Sequence, residues 1–463
     1  MQSAQADFVP CSRDFSRMFH QSIGNDDFQV GMRYTSTRDA SHSATLSQAV
    51  LRGLAPDGGL YVPERFPTLP PAALDGADTL ADVAARLLAP FFAGDPLARE
   101  LAAICAEAFT FPVPLPDLGE RTAVLELFHG PTAAFKDVGA RFLAGVLSRI
   151  VAGDDADPRP LTILVATSGD TGGAVAAAFH GRPGVEVAVL YPAGMVSPRQ
   201  EKQLTAWGGN VRAFALRGAF DDCQHLVKAA MADPGLRASR RLSSANSINV
   251  GRLLPQMAYY AWAAREYLHR HGAEPGFIIP SGNLGNATAA LWARQVGMPV
   301  RQVVMATNAN PALTAFAGGA AWAGHPTVST LASAMDVGSP SNMERVLHLF
   351  GGEDAARAAL RVERVDDDGI RHAIREGAER WGQLWDPHTA TAAAVRDRIG
   401  GDDWILVSTA HPAKFEAVVE PLVGRDIPVP PELQRLLDRP SHAEPLEPTL
   451  DALRDALGRP APA

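Results

Sequence analysis

The chain has 463 residues, with 42 Lys+Arg against 51 Asp+Glu for a formal charge of −9, and its 46% hydrophobic and 20% charged content is that of a folded chain, not a disordered one. A protein built to hold a phosphate backbone needs a concentrated cationic face, so this acidic balance argues against nucleic acid as a partner. Only four of the cations are lysines, Lys136, Lys202, Lys228 and Lys414, and a guanidinium does not deprotonate in proteins, so covalent amine chemistry must use one of these four or the α-amino group.

Residues 1–31 lack an apolar leader core and are interrupted by Asp7, Asp14, Asp26 and Asp27, which opposes a secretory or transit peptide. They are expected to be a disordered extension, with Met32 as a candidate start. An N-terminal domain is expected over 32–120, helical and alanine-rich from about 72 to 110 and closed by FPVPLPDLG. Apolar runs then read as buried strands: AVLELF, LTILVAT, VEVAVLY, NVRAFAL, FIIP, VRQVVMAT and DWILVST. Helical segments at 135–152, 172–181, 220–231, 248–270 and 286–297 alternate with them. Strand followed by helix, repeated, predicts open parallel sheets with helices on both faces, the α/β class. The expected division is a larger unit from 121–159 and 271–440, a smaller one from 160–270, and a C-terminal tail at 441–463. The three cysteines, Cys11, Cys105 and Cys223, form no CxxC pair, which indicates neither a disulfide framework nor a thiolate metal site and fits a reducing cytoplasm. No run approaches the roughly 18 apolar residues of a membrane span, and nothing separates a monomer from a homodimer.

In open α/β sheets ligands sit beyond the carboxyl ends of strands, where loops meet helix N-termini. After AVLELF, HGPTAAFKDVGARF (129–142) puts Lys136 at the start of a helix. The positive helix end and partial burial both disfavour an ammonium there. A neutral amine is what an imine-forming nucleophile requires; the alternative is a snorkelling side chain, or one paired with Asp137. After LTILVAT, SGDTGGA (168–174) turns backbone N–H groups and the Ser168 and Thr171 hydroxyls toward an anion, a carboxylate or a phosphate. GDTGGA is similar to the GDSGGP around a chymotrypsin-like serine, but the strand–turn–helix setting is not that of an all-β barrel. After FIIP, SGNLGNATAA (281–290) opens another helix; it lacks GK[ST] and GxGxxG, yet suits a phosphate monoester held by backbone amides. An amine, a carboxylate-type cradle and a phosphate cradle together describe a pyridoxal 5′-phosphate site, since that cofactor needs an aldehyde partner, a phosphate anchor and a substrate clamp.

The motifs GLAPDGGLYVP, HGPTAAFKD, TSGDTGGA, LYPAGMVSPRQEKQ, NSINVGRLLPQ, PSGNLGN and STAHPAKF, in that order from about Arg33 to the 440s, resemble the threonine synthases, pyridoxal-phosphate enzymes of the second fold type. The resemblance implies two open parallel-sheet α/β units of the tryptophan-synthase-β-like type with an added helical N-terminal domain. It implies that Lys136 joins the cofactor aldehyde covalently. Gly282, Asn283, Leu284, Gly285 and Asn286 would cradle the cofactor phosphate, Leu284 and Asn286 standing where many members have Phe and Asp. Thr409 would face the pyridine nitrogen, where a hydroxyl, unlike a carboxylate, does not hold that nitrogen protonated. Asp170 stands where related enzymes place an Asn near the phenolic oxygen; a carboxylate there is repelled by a phenolate, so it is either protonated or turned elsewhere.

The implied substrate is O-phospho-L-homoserine, converted with water to L-threonine and phosphate by β,γ-elimination and β-addition, the last step of threonine biosynthesis. Lys136 would then be general base and acid, and Ser168 and Thr171 would hold the α-carboxylate. Asn246, Asn249 and Arg252 are the candidates for the departing phosphate, with Lys202 and Arg199 behind them. No metal is expected: His269 and His271 form an HxH without Cys or carboxylate companions. His129 reads as a turn-fixing residue, Lys228 as a solvated one, and Lys414 as structural or at the cofactor rim. The alternatives are a paralogous phospho-amino-acid lyase giving a 2-keto acid, a synthase using phosphoserine, or a non-catalytic cofactor-binding protein.

Overall fold

A computed structural model describes residues 31–154, 157–401 and 403–459. The expected extension therefore lies, except for Gly31, outside the described residues, as does the end at 460–463. The segment opened by Met32 holds strands β1 (Tyr34–Ser36) and β2 (Ser43–Ala44), helix α1 (Leu46–Arg52) and strand β3 (Tyr61–Pro63), the strands pairing antiparallel in the order β2-β1-β3. This small sheet adds to the helical N-terminal domain expected from the sequence: strands of two or three residues are too short to leave a period-two pattern. Helices α2 (Leu80–Leu88) and α3 (Leu101–Ala108) follow in the alanine-rich segment. Leu80, Val83, Ala84, Leu87 and Leu88 form the buried stripe of α2.

Two parallel sheets make up the rest. In chain order come β4 (Asp117–Gly119), β5 (Thr122–Glu126), α4 (Lys136–Ala152), β6 (Leu161–Ala166), α5 (Asp170–Phe179), β7 (Val185–Pro192), α6 (Pro198–Thr205), β8 (Val211–Leu216), α7 (Phe220–Ala232) and β9 (Arg241–Ser244). Then follow α8 (Val250–Leu253), α9 (Gln256–His271), β10 (Gly276–Pro280), α10 (Gly285–Gln295), β11 (Gln302–Thr307), β12 (Arg361–Arg364), α11 (Pro387–Ile399), β13 (Trp404–Ser408), β14 (Glu444–Leu446) and α12 (Leu450–Gly458). One sheet runs β12-β11-β10-β13-β5-β4, parallel except for edge strand β4, and the other runs β14-β8-β7-β6-β9, parallel throughout. Strands β6, β10 and β13 are buried at every residue, which is why they read as unbroken apolar runs and not as alternating ones.

Two details depart from the sequence reading. The helix expected at 248–270 is split into α8 and α9 at Leu254–Pro255, because Pro255 has no N–H to continue the ladder. The expected tail is not one: β14 adds to the edge of β8, pairing Glu444 with Phe214 and Leu446 with Leu216, and α12 buries Leu453, Ala456 and Leu457 in the cluster that also holds Leu226 of α7.

The carboxyl ends of β5, β6, β10 and β13 feed the loops bearing Lys136, Asp170, Gly282–Asn286 and Thr409. Backbone bonds lock two of these loops together. Leu127 donates to Ser408 (3.0 Å), Phe135 to Thr409 (2.9 Å) and His411 to Ala133 (3.0 Å).

Candidate active site

A cleft open to solvent brings together Lys136, Ser168, Asp170, Thr171, Asn246, Arg252, Gly282, Asn283, Leu284, Gly285, Asn286 and Thr409. Lys136 is the first residue of α4, and the turn before it is held by Asp137. The Asp137 carboxylate accepts from Thr132 N–H (2.8 Å) and Thr132 Oγ1 (2.7 Å). A β-carbon at Gly130 would meet Asp137 Oδ2 at 2.5 Å, so the motif requires glycine there. Asp137 is thus committed to Thr132, and no ion pair with Lys136 forms. Burial is the main cause that lowers the Lys136 pKa to about 8; Asp170 opposes it, and the nearby Lys414 and Arg252 cations add to it. The amine is therefore available in neutral form near physiological pH.

The second anion-seeking element is the start of α10. Leu284 precedes it with φ of +62°, and the first turn has neither a side-chain cap nor an acidic residue, so its N–H groups are open to a ligand. A β-carbon at Gly282 would lie 2.7 Å from Met335 Cα, so this cradle tolerates no side chain there. Asn286 is buried; its Oδ1 accepts from the Tyr260 hydroxyl (2.8 Å) and lies against that of Tyr259, while its Nδ2 has no partner in the protein. An orphaned buried donor beside open backbone amides fits a phosphate monoester. The Asn283 side chain is spent on Ser247 Oγ (2.8 Å) and on Ser341 N–H, so that residue offers its backbone. The Thr409 hydroxyl has no partner among the described residues, while its N–H donates to Thr389 Oγ1 (3.2 Å).

The third element is the start of α5. Thr167 Oγ1 accepts from Gly169 and Gly172 N–H, both at 2.9 Å, shaping a loop on which the Ser168 and Thr171 hydroxyls remain partly exposed and without partners among the described residues. Asp170 is ionised. Burial alone would raise its pKa, but the ammonium of Lys414, then that of Lys136, hold the carboxyl well below the usual carboxylate range. Lys414 is fully buried, with Nζ 2.8 Å from Asp170 Oδ1 and 2.8 Å from the Thr132 carbonyl, and Gln200 Nε2 donates to the same Oδ1 at 3.0 Å. Asp170, expected to be either protonated or turned elsewhere, is an ionised carboxylate on the cleft wall whose Oδ1 is directed at Lys414 and Gln200.

Four candidates for the substrate phosphate are engaged elsewhere or lie off the cleft. Asn249 is outside the cleft: its Oδ1 caps α8 at Gly251 N–H (2.9 Å) and its Nδ2 donates to Val50 O (2.9 Å) and Ser244 O (3.0 Å). Lys202, on α6, is not among the lining residues, and Arg199 beside it is tied to the Ala413 carbonyl and to Glu416. Asn246 does line the cleft, but its amide bridges both backbone groups of Ala166, so it fixes the end of β6. Arg252 stays: it is buried with Nη1 on the Ala245 carbonyl, Nε unpartnered, and no carboxylate bonded to it.

Among the residues lining the cleft that the sequence pattern does not single out, two are titratable. Lys228, read as solvated, lines it with Phe220, Gln224 and Val227 of α7. His388 lines it as well, its Nδ1 donating to Asp386 Oδ1 (2.6 Å) and its Nε2 accepting from Ala334 N–H (3.0 Å), which fixes the neutral Nδ1–H tautomer. The signal was Asp-Pro-His at a helix start: Asp386 caps α11 through the His388 and Thr389 N–H groups. Among the described residues no His/Cys/Asp/Glu group could hold a metal, and no helix is long and apolar enough to cross a membrane.

Comparisons with known proteins point to one family. The family model of pyridoxal-phosphate dependent enzymes matches residues 110–409, that of the threonine synthase N terminus 33–109, and that of the threonine synthase C-terminal region 389–457. Threonine synthase from Escherichia coli (strain K12) is 40% identical over 431 residues, 92% of this chain and 99% of that protein. The crystal structure of threonine synthase from Escherichia coli aligns with a TM-score of 0.86 at 39% identity, covering 92% of this chain and 99% of that one. The structure of threonine synthase from Brucella melitensis with bound pyridoxal phosphate aligns with a TM-score of 0.84 at 34% identity, covering 92% and 98%. With an amine nucleophile, an amide cradle and a hydroxyl-bearing loop meeting in one cleft, and with matches spanning all three regions of the chain, this protein belongs to the threonine synthase family of pyridoxal-phosphate-dependent enzymes.

Proposed function

We propose that the chain converts O-phospho-L-homoserine and water to L-threonine and phosphate, with Lys136 as its central residue. Lys136 would hold the aldehyde of pyridoxal phosphate, whose chemistry when bound would be an electron sink that acidifies the protons on the α carbon and then the β carbon. The backbone N–H groups from Gly282 to Asn286 and the Asn286 amide would hold the cofactor phosphate, and the Thr409 hydroxyl would be the group offered to the ring nitrogen. The Ser168 and Thr171 hydroxyls, with the N–H groups at the start of α5, hold the substrate α-carboxylate, fixing the Cα–H bond toward Lys136.

Lys136 Nζ, in its neutral form, would remove the proton from the α carbon and then move protons at the β and γ carbons. Phosphate leaves from the γ carbon and water adds at the β carbon. The buried charge of Arg252 supplies positive potential where the leaving group gathers negative charge. Asp170, ion-paired with Lys414, offsets part of the burial penalty on the Lys136 ammonium.

The observation that carries this reading is a lysine with a pKa lowered to about 8 that shares one cleft with the open first turn of α10. The test is product analysis: holoprotein given O-phospho-L-homoserine should release threonine and phosphate in equal amounts. Release of phosphate with 2-oxobutyrate would make the chain a lyase instead. Lys136→Arg keeps the charge but cannot form an imine, so it should abolish turnover; retained turnover would remove Lys136 from the chemistry.

A further inference from the structure

We propose that Lys228, with Gln224 one turn before it on α7, captures the phosphate monoester of the substrate at the mouth of the cleft. The proposal rests on the reading above, because that reaction brings two dianionic phosphates into one cleft and the α10 cradle serves only the cofactor's. The second needs a cation of its own, and one that can let it go, since it enters as an ester and departs as inorganic phosphate.

The described residues that line the cleft include three Lys or Arg side chains: Lys136, Arg252 and Lys228. Lys136 is taken by the amine chemistry. Arg252 is buried and pinned, one nitrogen on the Ala245 carbonyl and its Nε so close to α4 that a β-carbon at Gly139 would meet it at 2.9 Å. It can polarise the site but cannot follow a group in and out. Lys228 is exposed and has no hydrogen-bond or ion-pair partner among the described residues. Its ammonium is a compact, mobile point charge, suited to a transient dianion, whereas the Arg fork suits a fixed bidentate partner.

Helix geometry explains why this lysine faces the site. Phe220, Gln224, Val227 and Lys228 all line the cleft, and offsets of four, seven and eight residues fall on one helical face. Cys223, Leu226, Val227 and Ala230 form the buried side against the five-stranded sheet. Lys228 therefore lies at the border between the core stripe and the open cleft, its stem beside Val227 and its charge free.

The first turn of α7 is also held in place across the cleft. Thr327, between β11 and β12 of the other unit, donates through Oγ1 to Asp221 Oδ2 (3.2 Å) and accepts from Gly338 N–H (3.1 Å). The segment that this fastens carries Met335 and Val337 of the opposite wall. The carboxylates at this end of α7 are spoken for: Asp221 by Thr327, and Asp222 by the Ala219 N–H (2.7 Å). Neither quenches the lysine two turns on.

The test uses full-chain holoprotein as wild type, Lys228→Gln, Lys228→Arg and, as a charge-matched control off the cleft, Lys202→Gln. Two readouts are taken, steady-state kinetics with O-phospho-L-homoserine and binding of inorganic phosphate followed by phosphorus NMR. Lys228→Gln should raise KM and the Kd for inorganic phosphate together, by about tenfold or more, with kcat changed far less and the cofactor absorbance spectrum intact. Its KM should lose most of the salt dependence seen in wild type. Lys228→Arg should recover most of the binding, and Lys202→Gln should match wild type. Wild-type KM and phosphate affinity in Lys228→Gln overturn the proposal. If the wild type makes no threonine, the reaction assigned above is wrong, while the phosphate titration still decides whether Lys228 holds that anion.

Discussion

Replacing Lys136 by methionine should stabilise the protein stripped of cofactor. Burial in the folded state brings the ammonium pKa from its ordinary 10.5 to about 8. At 1.36 kcal/mol for each pH unit, that difference is about 3 kcal/mol. The folded chain binds fewer protons than the unfolded one between pH 8 and 10.5. The penalty is therefore present in full below pH 8 and fades as pH rises to 10.5. A methionine of similar length carries no such charge. Urea unfolding of apoprotein at pH 7 should thus show Lys136→Met more stable than wild type by up to about 3 kcal/mol, and the gap should close at pH 10.5. Side-chain relaxation and water entering the cleft reduce the figure but do not change its sign. A variant less stable than wild type at pH 7, or a gap independent of pH, would show that Lys136 is not held as a destabilised cation and would remove the physical basis for its reactivity.

Three further outcomes follow from the same geometry. Lys414→Met leaves the Asp170 carboxylate buried without its 2.8 Å partner and should cost about 3–5 kcal/mol in urea unfolding; adding Asp170→Asn should restore much of that, and additive losses would mean that the two do not act as a pair. Gly282→Ala forces a β-carbon to 2.7 Å from Met335 Cα, so cofactor affinity, titrated by absorbance on apoprotein, should fall by about tenfold or more; an unchanged Kd would separate this turn from the phosphate cradle. Tyr260→Phe removes a 2.8 Å donor to Asn286 Oδ1 and should weaken cofactor binding by about fivefold, the equivalent of about 1 kcal/mol; no change would mean that the Asn286 amide is not held for the phosphate.

Much of the site was legible because its parts are local. Lys136, Ser168, Thr171 and the Gly282–Asn286 turn each follow an apolar run and open a helix, and strand, loop and helix are contiguous in sequence. What the sequence did not show depends on packing between distant segments. Asp170 and Lys414 are 244 positions apart and meet only because β6 and β13 end at the same cleft. Lys228 looks like any charge on an amphipathic helix until the helix is laid on its sheet. Asn249 has the chemistry of a phosphate ligand, yet it caps α8 and tethers Val50. Strand β14, three residues long and joined to β8 from the far end of the chain, leaves no pattern that composition or periodicity could reveal.

The central claim is that this chain cleaves the carbon–oxygen bond of a phosphate ester and replaces it with a hydroxyl on the neighbouring carbon. The measurement that tests it most directly is turnover of O-phospho-L-homoserine in water enriched in oxygen-18, with both products examined by mass spectrometry. The account predicts the label in the threonine hydroxyl and none in the phosphate. Label in the phosphate, with homoserine as the other product, would mean simple ester hydrolysis at phosphorus and would contradict the account.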